Sequence, residues 1–204
     1  MTVFSSILNS KDQKSIDFWQ EDIPVTPNYE YDGAILDRFP RNPKTDPDWG
    51  TRSTSCVRLR LDFILSNPLP SGPVSFFSAN PDGPLLPLGQ GTPEPSSPGS
   101  SIWSVLLHPV PDLQARRTRT AFHPAPDGSS ATESFLIVLE NDSPSPKTVL
   151  VREHALRGAN IQVVAASQES EIVQIGDNPP EIHFPVRLSP ESSKTVSYTV
   201  KYTW

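Results

Sequence analysis

The 204-residue chain has one cysteine, Cys56, so no disulfide can form within it. This excludes the small secreted proteins that depend on several disulfides, and it fits a reducing compartment. No apolar run approaches the roughly 20 residues that are needed to cross a bilayer. Residues 1–15 contain only short apolar pieces and lack the hydrophobic region of a signal peptide. We therefore expect a soluble, cytoplasmic protein with no membrane span.

Sequence motifs for catalysis and nucleotide binding are also missing. The chain has no phosphate-binding loop, no dinucleotide fingerprint and no nucleophile elbow. Its four histidines have no metal-ligand spacing. The formal net charge of −6 disfavours nucleic acid, whose phosphates require lysine and arginine. We expect no enzymatic activity, no cofactor, no metal and no nucleic-acid partner, although an active site assembled from distant loops stays open as an alternative.

Proline is the residue present in excess, with 24 copies against a usual share of about 5%. Proline fixes φ and has no N–H to donate to a hydrogen-bond ladder. So many prolines therefore oppose long helices and favour many turns between short strands.

The last ten residues alternate strictly between two kinds of side chain. Hydroxyl-bearing residues and one lysine occupy one side, and the other side carries Val196, Tyr198, Val200, Tyr202 and Trp204. Successive side chains of a strand point to opposite faces, so this pattern predicts a strand with one buried and one solvated face. Residues 56–65 and 181–188 alternate in the same way. The sequence predicts an antiparallel, all-β protein.

Turn signals recur at short intervals from Arg116 to the end, and they separate about seven short strands. This pattern is typical of an immunoglobulin-like β-sandwich, although the Cys…Trp…Cys pattern of antibody domains is absent. Pro109 and Pro111 suggest a short, stiff connection before it. The predicted organisation is an irregular N-terminal segment, a smaller Pro-rich β module and an immunoglobulin-like sandwich, at residues 1–24, 25–112 and 113–204.

Part of the chain resembles a known family. The similar segments are Leu69-Pro70-Ser71-Gly72-Pro73-Val74-Ser75-Phe76-Phe77, the Asp82-Gly83 turn, Leu88-Gly89, Asn141, the strand from Val149 to Glu153, Phe184-Pro185-Val186, Pro190 and Tyr198-Thr199-Val200. Together they resemble the C-terminal domain of unknown function of the mucoidy-inhibitor-A-like family, over about residues 55–204. The resemblance implies a β-sandwich and no catalytic residues. The coiled coil that typical members carry upstream has no counterpart in residues 1–54.

Three residues are candidates for binding. Arg117 and Arg119 share one face of a predicted strand and could bind an anion or an acidic partner surface. The alternative is that they pair with neighbouring carboxylates. Trp204, at the end of the last strand, is the aromatic residue best placed for exposure, whereas Tyr198 and Tyr202 are expected to face the core. Cys56 is expected to be a small buried side chain.

These observations favour a non-catalytic protein-interaction or structural module, since the loops and edges of β-sandwiches commonly bind partners. The expected partner is a protein. The alternative is a carbohydrate-binding module that stacks sugars on exposed aromatic side chains. No pattern in the sequence indicates an oligomeric state.

Overall fold

A computed structural model describes residues 23–35, 45–65, 72–79, 83–95, 102–155, 157, 160–174, 176 and 179–204. Every regular element in these ranges is a β-strand, which confirms the all-β prediction. The strands are β1 (Val25–Asp32), β2 (Cys56–Ile64), β3 (Val74–Ser78), β4 (Leu86–Gly91), β5 (Glu94–Pro95), β6 (Ile102–Pro124), β7 (Ser130–Asn141), β8 (Lys147–His154), β9 (Asn160–Ala166), β10 (Glu171–Val173), β11 (Glu181–Leu188) and β12 (Ser192–Thr203). The predicted segment of residues 1–24 lies outside the described residues, except for its last two.

The chain divides into two compact units. Unit 1 comprises Met1–Asn28 and Arg58–His108, and unit 2 comprises Tyr29–Val57 and Pro109–Trp204. The chain passes between the two units at three points, and each lies within a strand, so β1, β2 and β6 each contribute residues to both units.

Hydrogen-bonded neighbours in the larger sheet follow the order β10-β11-β8-β1-β2-β6-β7-β12-β9, while β3 and β4 form a separate pair. Most pairs are antiparallel, but β1 and β8 run parallel, with Tyr29 opposite Val149 and Tyr31 opposite Val151. The prediction of a purely antiparallel sheet is wrong at this pair. A long stretch of chain separates the two strands, so no hairpin turn constrains their relative direction.

The core of unit 2 lies between the inward faces of β8 and β11 on one side and β7 and β12 on the other. The rings of Phe184 and Phe135 both lie 5.2 Å from that of Tyr198, measured between centroids. Val196, Tyr198, Val200 and Tyr202 are all buried, which confirms the predicted inward face of the last strand. Burying each large apolar side chain contributes about 1.5–3 kcal/mol.

Unit 1 has its own smaller core. Leu61 and Phe63 of β2 are buried, and the Phe63 ring lies 6.3 Å from that of Phe76 in β3. Gly91 of β4 approaches β6 so closely that a Cβ at this position would lie 2.5 Å from Cγ2 of Val105. Glycine therefore lets β4 pack directly on β6.

Strand β6 runs unbroken through Pro109 and Pro111, where the sequence predicts a connection between two strands. Extended backbone tolerates the proline φ angle, and a proline is excluded only where the ladder needs an N–H donor at its position. The β6–β7 ladder begins at Leu113, beyond both prolines. The prolines therefore lie where that ladder needs no donor.

Candidate functional site

Arg117 and Arg119 lie on the inward-facing side of β6, and that side points into unit 2. The Arg117 side chain is fully buried, and its Nε donates to both carboxylate oxygens of Glu153 at 2.9 and 2.8 Å. Its Nη1 donates to the Gly50 carbonyl oxygen at 2.9 Å, and its guanidinium carbon lies 4.0 Å from the Phe135 ring centroid. This guanidinium group is therefore a core element.

Glu153 also accepts a hydrogen bond of 2.5 Å from the hydroxyl of Tyr198. Burial by itself lowers the pKa of Arg117, but the adjacent Glu153 carboxylate outweighs it and the pKa rises. Burial also raises the pKa of the Tyr198 hydroxyl, and the negative charge of Glu153 raises it further. The three side chains therefore form a charged pair capped by a neutral phenol.

A second buried carboxylate, Glu133, binds two more arginines. Its Oε1 accepts from Nη2 of Arg157 at 2.8 Å and from Nη1 of Arg119 at 3.3 Å. The Arg157 guanidinium also lies over the Phe122 ring, 4.2 Å from its centroid. Arg157 is fully buried, and nothing in its local sequence distinguishes it from a surface arginine.

All three arginines also hold the turn at residues 46–50. They donate to main-chain carbonyl oxygens of Asp46, Pro47, Trp49 and Gly50. Guanidinium groups used in this way are not directed at an external ligand. The geometry therefore favours the alternative that Arg117 and Arg119 pair with internal carboxylates, and their binding of an outside anion stays a prediction.

Trp204 is partly buried and packs against the core of unit 2. Its indole Nε1 donates to the Gly128 carbonyl oxygen, and its backbone N donates to the Ser129 oxygen at 3.1 Å. Tyr198 and Tyr202, on the same strand face, are buried. The aromatic row formed by Tyr198, Tyr202 and Trp204 therefore lies mainly in the core, and of these three side chains only Trp204 retains some exposure.

A polar cluster that the sequence analysis did not identify covers the outer face of β1, β8 and β11. Arg152 binds Glu181 with two parallel hydrogen bonds of 2.8 Å and also donates to Glu30. Glu181 accepts a further 2.8 Å bond from Nε2 of His183. Burial by itself raises the pKa of Glu181, but the bonds from His183 and Arg152 outweigh it and lower this pKa to about 2.

His154 completes this outer cluster. Its Nε2 lies 2.8 Å from Oδ1 of Asp32, and its Nδ1 lies 3.6 Å from Oε1 of Glu181. Burial by itself lowers the pKa of the imidazole, but the bond to Asp32 and the two negative charges outweigh it and raise the pKa. Two carboxylates flanking one ring favour the imidazolium, so the cluster binds its strands together as an ionic network.

Cys56 begins β2 as predicted but is exposed, so the expectation that it is buried is wrong. Val57 occupies the inward face of the strand, and alternation therefore turns the preceding residue outward. Within the described residues, no group of three or more His, Cys, Asp or Glu side chains could hold a metal ion. The described part of the chain also contains no helix that could span a membrane.

Strand β9 ends the larger sheet and, among the described strands, pairs only with β12. Its sequence, Asn-Ile-Gln-Val-Val-Ala-Ala, has neither charge nor proline, and Val164 is 48% exposed. The register with β12 shifts at Val164, which is the extra residue of a β-bulge. Sheet edges carry unpaired N–H and C=O groups that charges, prolines or bulges commonly protect. Of these devices, β9 has only the bulge, so Asn160 to Val163 form an edge that has no partner strand among the described residues.

Comparison with known proteins found no matching protein family, no matching curated protein and no matching solved structure.

Proposed function

We propose that this chain is a non-catalytic β-sandwich protein that acts as a protein-interaction module. Strand β9 is its binding edge, and the partner supplies an extended segment that adds to the sheet beside β9. The open, uncharged edge of β9 is the observation that carries this proposal.

Strand addition draws its affinity from main-chain hydrogen bonds and its specificity from alternate side chains. Gln162 and Val164 are both exposed, and no charge on β9 would repel an apolar partner strand. Charged edge residues usually prevent such pairing, so their absence over a whole edge strand favours a binding role.

The non-catalytic part of the proposal is supported by how the buried ionisable groups are used. Arg117, Glu153 and Tyr198 bond to one another, and Arg157 bonds to Glu133 and to main-chain oxygens. These contacts hold the interior together. An immunoglobulin-like topology and membership of the mucoidy-inhibitor-A-like family belong to the same proposal, because both are consistent with a sandwich that has no catalytic residues.

The alternative is a carbohydrate-binding module that uses exposed aromatics, and it has less support. Tyr198 and Tyr202 are buried, and the Trp204 indole N–H already bonds to a carbonyl oxygen. On this face of the last strand, a sugar ring would then have the partly exposed Trp204 ring on which to stack.

The test is selection of short random peptides displayed on phage against the purified full chain. Enriched peptides are synthesised, and their dissociation constants are measured by fluorescence anisotropy for the wild type and for Val164→Lys. We expect the lysine to weaken binding at least tenfold, about 1.4 kcal/mol. We also expect the bound peptide to protect β9 amides against hydrogen exchange.

Ile172→Lys is the matched control, because Ile172 of β10 is also 48% exposed. Its affinity should equal that of the wild type. The proposal fails if no peptide is enriched, or if Val164→Lys binds as tightly as the wild type. A substrate turned over by the purified chain would overturn its non-catalytic part.

A further inference from the structure

Unit 2 also has an open groove of about 360 Å³ on the outer surface of β6 and β7, beside residues 53–55. Its polar lining residues are Ser53, Thr54, Ser55, Gln114, Arg116 and Glu140. The volume falls at the lower end of the roughly 300–1,000 Å³ that is usual for small-molecule sites.

The wall formed by residues 53–55 is fixed by hydrogen bonds to its main chain. The Ser55 carbonyl oxygen accepts from the Ala115 N–H at 3.2 Å. The Thr54 carbonyl oxygen accepts from the Tyr31 hydroxyl at 2.9 Å, and the Thr54 N–H donates to the Gly33 oxygen at 3.0 Å. The groove is therefore held in shape before any ligand arrives.

The floor of the groove follows from strand alternation. Ala115 of β6 is buried, so its neighbours Gln114 and Arg116 point outward. Gln114 lies opposite Glu140 of β7 in the ladder, which places an amide, a guanidinium and a carboxylate along one floor.

The polar side-chain groups of the floor have no bonding partner among the described residues. Within the described part of the chain, the side chains of Gln114, Arg116 and Glu140 form no hydrogen bond or ion pair, and neither does the Ser55 hydroxyl. This contrasts with Arg117 next in sequence, whose guanidinium is bonded to Glu153 and Gly50. A surface with free donors and free acceptors side by side can receive a ligand that offers both.

The two free charges select the class of ligand. A simple anion drawn to Arg116 would be repelled by Glu140, and a simple cation would be repelled by Arg116. A hydroxyl group both donates and accepts, so it can bond to either charged group and to serine or threonine hydroxyls. We propose that this groove binds a neutral carbohydrate, with Arg116 donating to and Glu140 accepting from its hydroxyl groups.

The surface beyond the groove allows room for an oligosaccharide. Thr118 of β6 is exposed, and Val138 of the groove lies opposite the exposed Thr195 of β12. Hydroxyl-bearing side chains therefore continue from the groove across neighbouring strands. This carbohydrate site uses polar side chains and not the aromatic row, and it is separate from the β9 edge.

The experiment titrates the isotope-labelled full chain with maltohexaose, cellohexaose, laminarihexaose, mannohexaose and chitohexaose, followed by amide chemical shifts in NMR. At least one sugar should shift amides of residues 53–55, 114–116 and 138–140 in a saturable manner. Arg116→Ala and Glu140→Ala should each raise the dissociation constant at least tenfold. Arg187→Ala, an exposed arginine on β11, is the matched control and should bind as the wild type does.

Saturable shifts elsewhere on the chain, no shift with any of the five sugars, or unchanged affinity in both groove variants would each overturn the proposal. Because the peptide experiment probes β9, either proposal can fail while the other stands. Both groove substitutions are at exposed positions, so correctly folded variants are expected, and their undisturbed amide spectra provide the check.

Discussion

Replacing Arg117 by methionine should destabilise unit 2 strongly. Methionine keeps much of the apolar stem but removes the guanidinium group, so Glu153 would remain in the core without its two hydrogen bonds of 2.8 and 2.9 Å. The Gly50 carbonyl oxygen would lose its donor as well. The Tyr198 hydroxyl would then be the remaining group bonded to the buried carboxylate among those described.

The expected cost follows from the complete burial of both partners, since each side chain is 0% exposed. Removing one partner of a buried ion pair leaves an uncompensated charge and costs about 3–5 kcal/mol. The total stability of a domain is only about 5–15 kcal/mol. For a domain of about this size, each kcal/mol lowers the melting temperature by about 2–4 °C.

Urea unfolding followed by circular dichroism and by tryptophan fluorescence measures this loss, provided that the two transitions coincide. Arg116→Met is the control one residue away, and this exposed position should change stability by no more than about 0.5 kcal/mol. The double variant Arg117→Met/Glu153→Gln should be more stable than the single variant, because it leaves no unpaired charge in the core. If Arg117→Met costs no more than Arg116→Met, the ion pair does not stabilise the core and the reasoning is refuted.

Three further predictions concern pH and packing. Because pairing with Asp32 raises the pKa of His154 above its ordinary 6.5, the stabilisation is complete below that pH and is lost as pH rises through the folded-state pKa. Urea unfolding at increasing pH should show the free energy of unfolding of the wild type falling, and His154→Gln should lack this fall. The same dependence on pH in both proteins would contradict the prediction. The pKa of Glu181 is lowered from 4.5 to about 2, so its contribution is present above pH 4.5 and is lost as pH falls towards 2. In an acid titration of stability, Glu181→Gln should therefore lose less free energy of unfolding between pH 4.5 and 2 than the wild type does. Identical losses in the two proteins would refute this prediction. Gly91→Ala should cost about 1–3 kcal/mol in thermal unfolding because its Cβ would meet Val105. An unchanged melting temperature in Gly91→Ala would show that β4 and β6 can move apart to accommodate the extra methyl group.

Local pattern was enough to predict the strands with one buried face. The alternation predicts a strand over residues 181–188, and β11 spans Glu181–Leu188. Tyr198 and Val200 are buried as their alternation predicts. Side-chain direction reverses at each step of a strand, so neighbouring residues alone carry this information.

The same alternation could not reveal what each buried face contacts. It placed Arg117 and Arg119 on one side of a strand but did not show that Glu153 and Glu133 lie opposite them. Their partners are distant in sequence, and an isolated arginine reads as a solvated charge. Nothing in the sequence near Arg157 indicated that it would be buried, because its contacts are with carbonyl oxygens of the distant turn at residues 46–50.

Each candidate site likewise combines a feature that the sequence reveals with one that only the structure reveals. That β9 is free of charge can be read directly from its sequence, but its place at the end of the sheet depends on pairing with β12. The sequence predicts a strand that begins at Arg116, after Gln114, and the groove exists only because residues 53–55 lie alongside both side chains.

By itself, the sequence determined that this protein is built of strands and which side chains face inward in its strictly alternating strands, β11 and β12, because those properties repeat every two residues. Tertiary structure alone decided the parallel pairing of β1 with β8, the partners of the buried arginines and the exposed edge at β9. These depend on contacts between distant parts of the chain, whose free energies are set by geometry that no short window contains.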